Sequence, residues 1–338
     1  MDKLLNEFIV YRPKRSINTN KQYAHRIQKI VKENDDNMDI LDDFAGLQEY
    51  LKTYKSTTRS NIYTALIDYH QMKNSDPILI EKLVKEHSAT SEIYKKKQNS
   101  GEYLESQNEN KISLKELQGY VTLLENIVSK FKYHDIKKPA ERFPAIDYLN
   151  LRLLLKLLLL YPSRNEYATL EIIKLKDYEK IKENSMNWYK NYVVYKGRPK
   201  KYFLHIADYK TFTNYGLKQH EIKDKKLIHY LDVNRKINGI GPLFILASDK
   251  PGEPGIPNPM NNNTMSQLMI KYSKKHLGKS ISSTMIYKSL IQDISYLYQT
   301  AIENEDIEDI KKYKEELKKI AKSRGHSMSI QQSIYFKI

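Results

Sequence analysis

Residues 192–206 read Tyr192-Val193-Val194-Tyr195-Lys196-Gly197-Arg198-Pro199-Lys200-Lys201-Tyr202-Phe203-Leu204-His205-Ile206. Two short runs rich in β-branched and aromatic residues flank a Gly-Arg-Pro-Lys turn, and that pattern predicts a β-hairpin. Gln219-His220-Glu221-Ile222 follows as a possible third strand. On both sides of this segment apolar residues recur at the helical period. The expected fold class is therefore mainly α with a small antiparallel β-sheet set inside a helical domain.

Upstream of the hairpin, Leu149 to Leu160 is the most apolar stretch of the chain. It contains Arg152 and Lys156 and is far shorter than the ~20 residues needed to span a bilayer, so it reads as a buried core helix, ended by Pro162. Ser113-Leu114-Lys115-Glu116 has the S-x-x-E form of a helix capping box and marks the start of this domain. From about Glu86 to Lys111 apolar residues thin out, and Lys95-Lys96-Lys97-Gln98-Asn99-Ser100-Gly101 reads as an exposed linker. Residues 1–85 before it carry three helical patterns: Leu4, Leu5, Phe8 and Ile9; Tyr23, Ile27, Ile30 and Val31; and Ile62, Ala65, Leu66 and Tyr69. The predicted organisation is a helical unit over 1–85, a linker over 86–111 and a larger domain over 112–338. Downstream, a loop from Ser248 to Asn263 holds four prolines. A long amphipathic helix then places Ile307, Ile310, Leu317 and Ile320 on one face.

Lys+Arg of 57 against Asp+Glu of 41 give a net charge of +16, spread along the chain rather than held in a tail. Such a surface attracts polyanions, of which nucleic acid is the commonest that a basic protein meets. In the first unit Arg12, Lys14, Arg15, Lys21, Lys55 and Arg59 lie mostly near helix starts, where backbone N–H groups also favour phosphate; a solvated basic face is the plainer alternative. Cysteine is absent, which excludes disulfides, thiolate metal sites and cysteine nucleophiles. The nine histidines include no pair at a metal-ligand spacing such as HxxxH, so neither a metal nor a cofactor is expected. Met1-Asp2-Lys3-Leu4-Leu5 lacks the apolar run of a secretory signal. An intracellular protein with no membrane association is the expectation.

Three short segments carry possible chemistry. Tyr161-Pro162-Ser163-Arg164-Asn165-Glu166-Tyr167 follows the apolar helix, Asp208-Tyr209-Lys210-Thr211 with Tyr215-Gly216 follows the hairpin, and Gly325-His326-Ser327 precedes Tyr335, nine positions after the histidine. Each alone is ordinary: an arginine after a helix-ending proline is a surface or ion-paired residue in most proteins. Their order and contexts together resemble the tyrosine recombinases, the phage-integrase family of DNA strand-exchange enzymes, and in particular integrases of viruses, virophage-like or giant-virus-associated. The resemblance covers nearly the whole chain.

It implies a helical core-binding domain joined to a mixed α/β catalytic domain that together clamp double-stranded DNA, commonly as a homo-tetramer, in the host cytoplasm or nucleus if viral. It also implies site-specific recombination or integration through a covalent 3′-phosphotyrosyl intermediate, without cofactor or metal. Tyr335 would be the nucleophile and Arg164 a bidentate clamp on the scissile phosphate. His326 would bond the same phosphate or handle the tyrosine proton, and Lys210 would protonate the departing 5′ oxygen. Lys196, in the first hairpin, is a second possibility for that lysine.

The chain departs from the family at Ile281-Ser282-Ser283-Thr284-Met285-Ile286-Tyr287-Lys288-Ser289, where a His-x-x-Arg motif is expected. Thr284 takes the histidine position and Tyr287 the arginine position, exchanging a permanent cation for a neutral group. The alternative function is then a catalytically weakened or inactive DNA-binding relative. Lys288, or a neighbouring Lys271, Lys274 or Lys275, is where a replacement cation would be sought. A basic DNA or RNA binder in which these segments coincide by chance is the third reading.

Overall fold

The computed structural model describes residues 2–99, 108–131, 139–181, 183, 185–246 and 259–325. The chain divides into two units, Met1–Glu102 and Tyr103–Ile338. His326 and Tyr335 lie outside the described residues.

The first unit consists of α1 (Asp2–Tyr11), α2 (Ile17–Lys32), α3 (Phe44–Lys52), α4 (Ser56–Lys73) and α5 (Pro77–Asn99). Ser16 caps α2 by accepting from the Thr19 amide at 3.2 Å, and Asp43 caps α3 from the Ala45 amide at 3.1 Å. Phe8, Ile27, Ile30, Leu47, Leu51, Leu66 and Leu83 share one core. Leu83 belongs to α5, so this helix completes the unit. The linker expected from residue 86 begins inside α5 instead, which continues to Asn99. Thr90 is buried, and the Ser91 hydroxyl pairs with that of Ser60 on α4 at 3.0 Å. The thinning of apolar residues does not mark the end of the helix, because lysine and glutamine are good helix formers.

The second unit contains α6 (Leu114–Ser129) and α7 (Pro139–Leu160), then β1 (Glu171–Lys174), the single turn α8 (Leu175–Tyr178), β2 (Tyr192–Lys196) and β3 (Lys201–Ile206). The single turn α9 (Phe212–Tyr215), β4 (Lys218–Ile222), α10 (Lys225–Asn238), β5 (Gly241–Pro242), α11 (Asn262–Leu277), α12 (Ser283–Glu303) and α13 (Ile307–Arg324) complete it. The capping box at Ser113 and Glu116 is present. Helix α7 is buried nearly all round from Leu149 to Leu158. The two charges within that stretch are accommodated: the Arg152 guanidinium lies 4.0 Å from the Tyr230 ring centre, and Lys156 pairs with Asp224 at 3.1 Å.

The hairpin forms as the 192–206 pattern predicts, with Tyr192 opposite His205 and Lys196 opposite Lys201, and β4 pairs antiparallel with β3 from Tyr202↔Ile222 to Ile206↔Lys218. The sheet is not purely antiparallel, however. Its order is β4-β3-β2-β1-β5, and β1 runs parallel to β2, Glu171 opposite Tyr192. The parallel strand is only four residues long and the fifth strand two, too short for a period to register. The long final helix packs by its second half only. Leu317 is buried against Tyr287 and Ile291, whereas Ile307 is 66% exposed.

Candidate functional site

A polar cavity of about 520 Å³ opens where the C-terminal end of β3, the turn after α7, the start of α12 and the end of α13 meet. Arg164, Lys210, Thr284 and Arg324 line it, together with the carboxylates of Glu166 and Asp208. Three of the sequence-predicted site residues, Arg164, Lys210 and Thr284, are thus brought together from distant parts of the chain. Three cations against two carboxylates leave the lining one positive charge in excess, which suits a monoanion such as a phosphodiester better than a neutral ligand.

Local chemistry places each of them. Pro162 stops α7, and Arg164 opens a 3-10 turn over Asn165–Thr169. The Ser163 hydroxyl donates to Glu166, and the buried Tyr167 hydroxyl donates back to the Tyr161 carbonyl, so the turn is closed on itself. Asn191, fully buried, ties this turn to the Lys210 segment. Its amide nitrogen lies within bonding distance of the Glu166 carbonyl (3.1 Å), the Thr169 hydroxyl (3.0 Å) and the Asp208 carbonyl (3.0 Å). Its oxygen accepts from the Ala207 and Asp208 amides at 2.9 and 2.8 Å. The sequence pattern does not single out Asn191; an asparagine one position before a strand reads as a turn residue, and its role depends on contacts that only folding creates.

The segment after Lys210 is joined to the end of α13. Thr211 donates to the Gly325 carbonyl at 3.3 Å, and Lys218, at the first position of β4, donates to the Ser323 carbonyl at 2.9 Å. Gly325 caps α13 with φ +71°, and a Cβ there would stand 2.4 Å from the Thr211 hydroxyl, so both backbone and space call for glycine. His326 is the next residue.

Lys218 is 7% exposed, with its ammonium 3.7 Å from the Tyr209 ring centre. Burial first, then the neighbouring charges of Arg164 and Arg324, lower its pKa to about 8, against an opposing pull from Glu166. Because the folded value lies below the ordinary 10.5, the cost of the buried charge is fully present below pH 8. It is relieved as pH rises towards 10.5, where the unfolded chain still holds the proton. The stability of the wild type relative to Lys218→Met is expected to increase over that window, by at most about 1.4 kcal/mol per pH unit. Urea denaturation of both proteins at several pH values between the two limits checks this; a constant difference would show that Lys218 does not titrate as a buried group.

Tyr287 does not occupy a phosphate-facing position. It is fully buried, packs with Ile291 and Leu317, and is not part of the cavity wall. Thr284, one turn earlier on α12, reaches the cavity together with Ser283; at about 100° per residue Thr284 and Tyr287 stand about 60° apart around the helix, enough for one to reach the cavity while the other enters the core. None of the lysines considered as replacements lines the cavity: Lys288 is half-buried with its pKa lowered by burial, Lys271 faces Asp147 at 4.0 Å, and Lys275 bonds the Tyr148 hydroxyl at 3.3 Å. Arg324 is the cation that sequence reading missed. Its Nη2 donates to the Thr284 hydroxyl at 2.9 Å, its Nη1 donates to the Ser163 carbonyl, and its guanidinium lies 4.9 Å from the Tyr287 ring centre. Lys196 sits at the turn end of the β2–β3 hairpin, opposite Lys201, and is not part of the cavity wall either.

In the first unit, Lys14, Lys21 and Lys55 are exposed and Arg59 is half-buried. Arg15 is committed to an ion pair with the nearly buried Asp68, which raises its pKa, and it lies 4.8 Å from the Tyr23 ring centre. Arg12 is more open, 3.7 Å from the same carboxylate. Arg15, in the turn before α2, thus ties that turn to α4, and the exposed lysines are the better placed for a polyanion. Among the described residues no group of three histidine, aspartate or glutamate side chains could hold a metal ion, and no helix is long and apolar enough to cross a membrane. Compared with protein-family models, curated proteins and solved structures, the chain matches none.

Proposed function

We propose that this protein cleaves and rejoins double-stranded DNA by the chemistry of a tyrosine recombinase, with Tyr335 as nucleophile. The single observation that carries the reading is the meeting of Arg164, Lys210 and Thr284 in one polar cavity beside the helix end that leads into His326. Three segments picked out by their order along the chain share one cavity, which places them to act on one ligand. The weakened or inactive alternative drew on Tyr287 as the loss of a phosphate-binding cation; with that side chain in the core and Arg324 in the cavity wall, the active reading is favoured.

The residues divide the work as follows. The Tyr335 oxygen attacks the scissile phosphorus, the bond from phosphorus to the 5′ oxygen breaks, and a 3′-phosphotyrosyl link forms with a free 5′ hydroxyl. Arg164 holds the non-bridging oxygens, where negative charge gathers in the transition state. Lys210, exposed on the segment after β3, delivers a proton to the leaving 5′ oxygen. His326 accepts the tyrosine proton or donates to the phosphate. The bond energy is retained in the phosphotyrosyl link, so the reverse attack by a 5′ hydroxyl reseals the strand and no external energy source is needed. A homo-oligomer on two duplexes, in the cell that houses the DNA, is the corresponding assembly.

A duplex with a nick close to the cleavage position loses a short fragment after cleavage and traps the covalent intermediate. Incubation of the full chain with a library of such duplexes is expected to yield a protein–DNA adduct that survives denaturing electrophoresis and disappears with nuclease. Tight, salt-sensitive binding with no adduct from any member would leave DNA binding and remove the enzyme.

A further inference from the structure

We infer that Arg324 is the second cation on the scissile phosphate, delivered from the end of α13, and that Tyr287 is the platform on which it rests. The inference deepens the strand-cleavage reading above and depends on it.

Arginine is rarely buried unless something holds it. Arg324 is 4% exposed, yet it belongs to the wall of the cavity that contains Arg164 and Lys210. Three contacts from two elements fix its guanidinium: the Thr284 hydroxyl and the Tyr287 ring, both on α12, and the Ser163 carbonyl in the turn that carries Arg164. A surface ion pair is held by nothing comparable. Such a cation is preorganised: its field acts in a partly desolvated cavity and requires no rearrangement when charge develops on a bound phosphate. Arg164 and Arg324 line the same cavity, so the fields of both fall on an anion bound there.

The arrangement accounts for the residues on α12. Tyr287 is fully buried under Arg324 and supplies an aromatic face to a cation instead of a donor to the phosphate. Thr284 fixes the rotation of the guanidinium by accepting from Nη2. The functional cation has changed helices, and Thr284 and Tyr287 are positioning residues for it.

The test compares a trapping duplex with a normal scissile phosphodiester and the same duplex carrying a methylphosphonate, in which one charged non-bridging oxygen is replaced by a neutral methyl. A cation that neutralises that charge is needed for the first substrate and far less for the second. Arg324→Ala is expected to slow adduct formation on the phosphodiester by about 10²–10³, as for other transition-state donors, and by less than about 10-fold on the methylphosphonate. Arg324→Lys, which keeps the charge and is the variant better able to fold, is expected to show a smaller loss with the same dependence on substrate. Tyr287→Leu, which removes the platform, is expected to follow the same pattern.

Equal losses on both substrates, in whichever arginine variant retains a cooperative unfolding transition, would make Arg324 a structural residue and overturn the inference; so would wild-type rates in either variant. Absence of any adduct from the wild type on both substrates would instead remove the strand-cleavage reading, and the inference with it.

Discussion

Tyr335→Phe is expected to leave duplex binding unchanged and to abolish the covalent adduct altogether. Only the phenolic oxygen is removed, so every contact made by the ring and by the basic surface stays. No second group then takes over, because the chain has no cysteine and another nucleophile would have to sit within bonding distance of the same phosphorus. Binding is read by mobility shift and attachment by denaturing electrophoresis of the same samples. An adduct formed undiminished by the variant would remove Tyr335 from the reaction, and the site would need a different nucleophile among the residues that face the cavity. The separation of the two readouts matters, since a misfolded variant loses both.

The second large effect belongs to Lys210. Lys210→Ala is expected to lower the cleavage rate by about 10²–10⁴, the usual contribution of a positioned general acid. A substrate in which the bridging 5′ oxygen is replaced by sulfur needs no such acid, because a thiolate leaves unaided; on it Lys210→Ala is expected to cleave close to the wild-type rate. Arg164→Ala is expected to remain slow on both substrates, since charge still gathers on the non-bridging oxygens whatever the leaving atom. The comparison also tests the placement of the lysine. Lys196 lies at the far end of the first hairpin, away from the cavity, and Lys196→Ala is expected to behave as wild type on both substrates. Sulfur rescue of Lys196→Ala, with Lys210→Ala unaffected, would mean that the first hairpin and not the second connection reaches the DNA. Rescue of Lys218→Met would instead assign the acid to the buried ammonium that already has its pKa lowered to about 8.

At the site, sequence and structure part company at Tyr287 on α12 and at Arg324 on α13. On α12, a motif comparison asks what occupies each slot and finds a tyrosine where a cation is wanted. The structure asks which side chain reaches the cavity, and the answer at Tyr287 is none, because helical rotation and the approach of α13 put its ring in the core. Arg324 could not have been found by spacing: it stands two residues before His326 as the one arginine of a lysine-rich helix, and the order of the motifs assigns that position no role. What sets it apart is burial, which a basic helix end acquires only when α12 and the turn after α7 close over it.

Local pattern determined a good deal. The hairpin at 192–206, the buried helix ending at Pro162, the capping box at Ser113, the helical first unit and the turn segments bearing Arg164 and Lys210 were legible, because each depends on side-chain alternation, turn chemistry or caps within a few residues. The parallel pairing of β1 with β2, the extension of α5 into the expected linker as far as Asn99, the lock formed by Asn191 and the burial of Tyr287 beneath Arg324 were decided by tertiary structure alone. These depend on contacts between residues far apart in the chain, whose free energy comes from desolvation and from hydrogen bonds completed only after packing. A single sequence carries no local record of either.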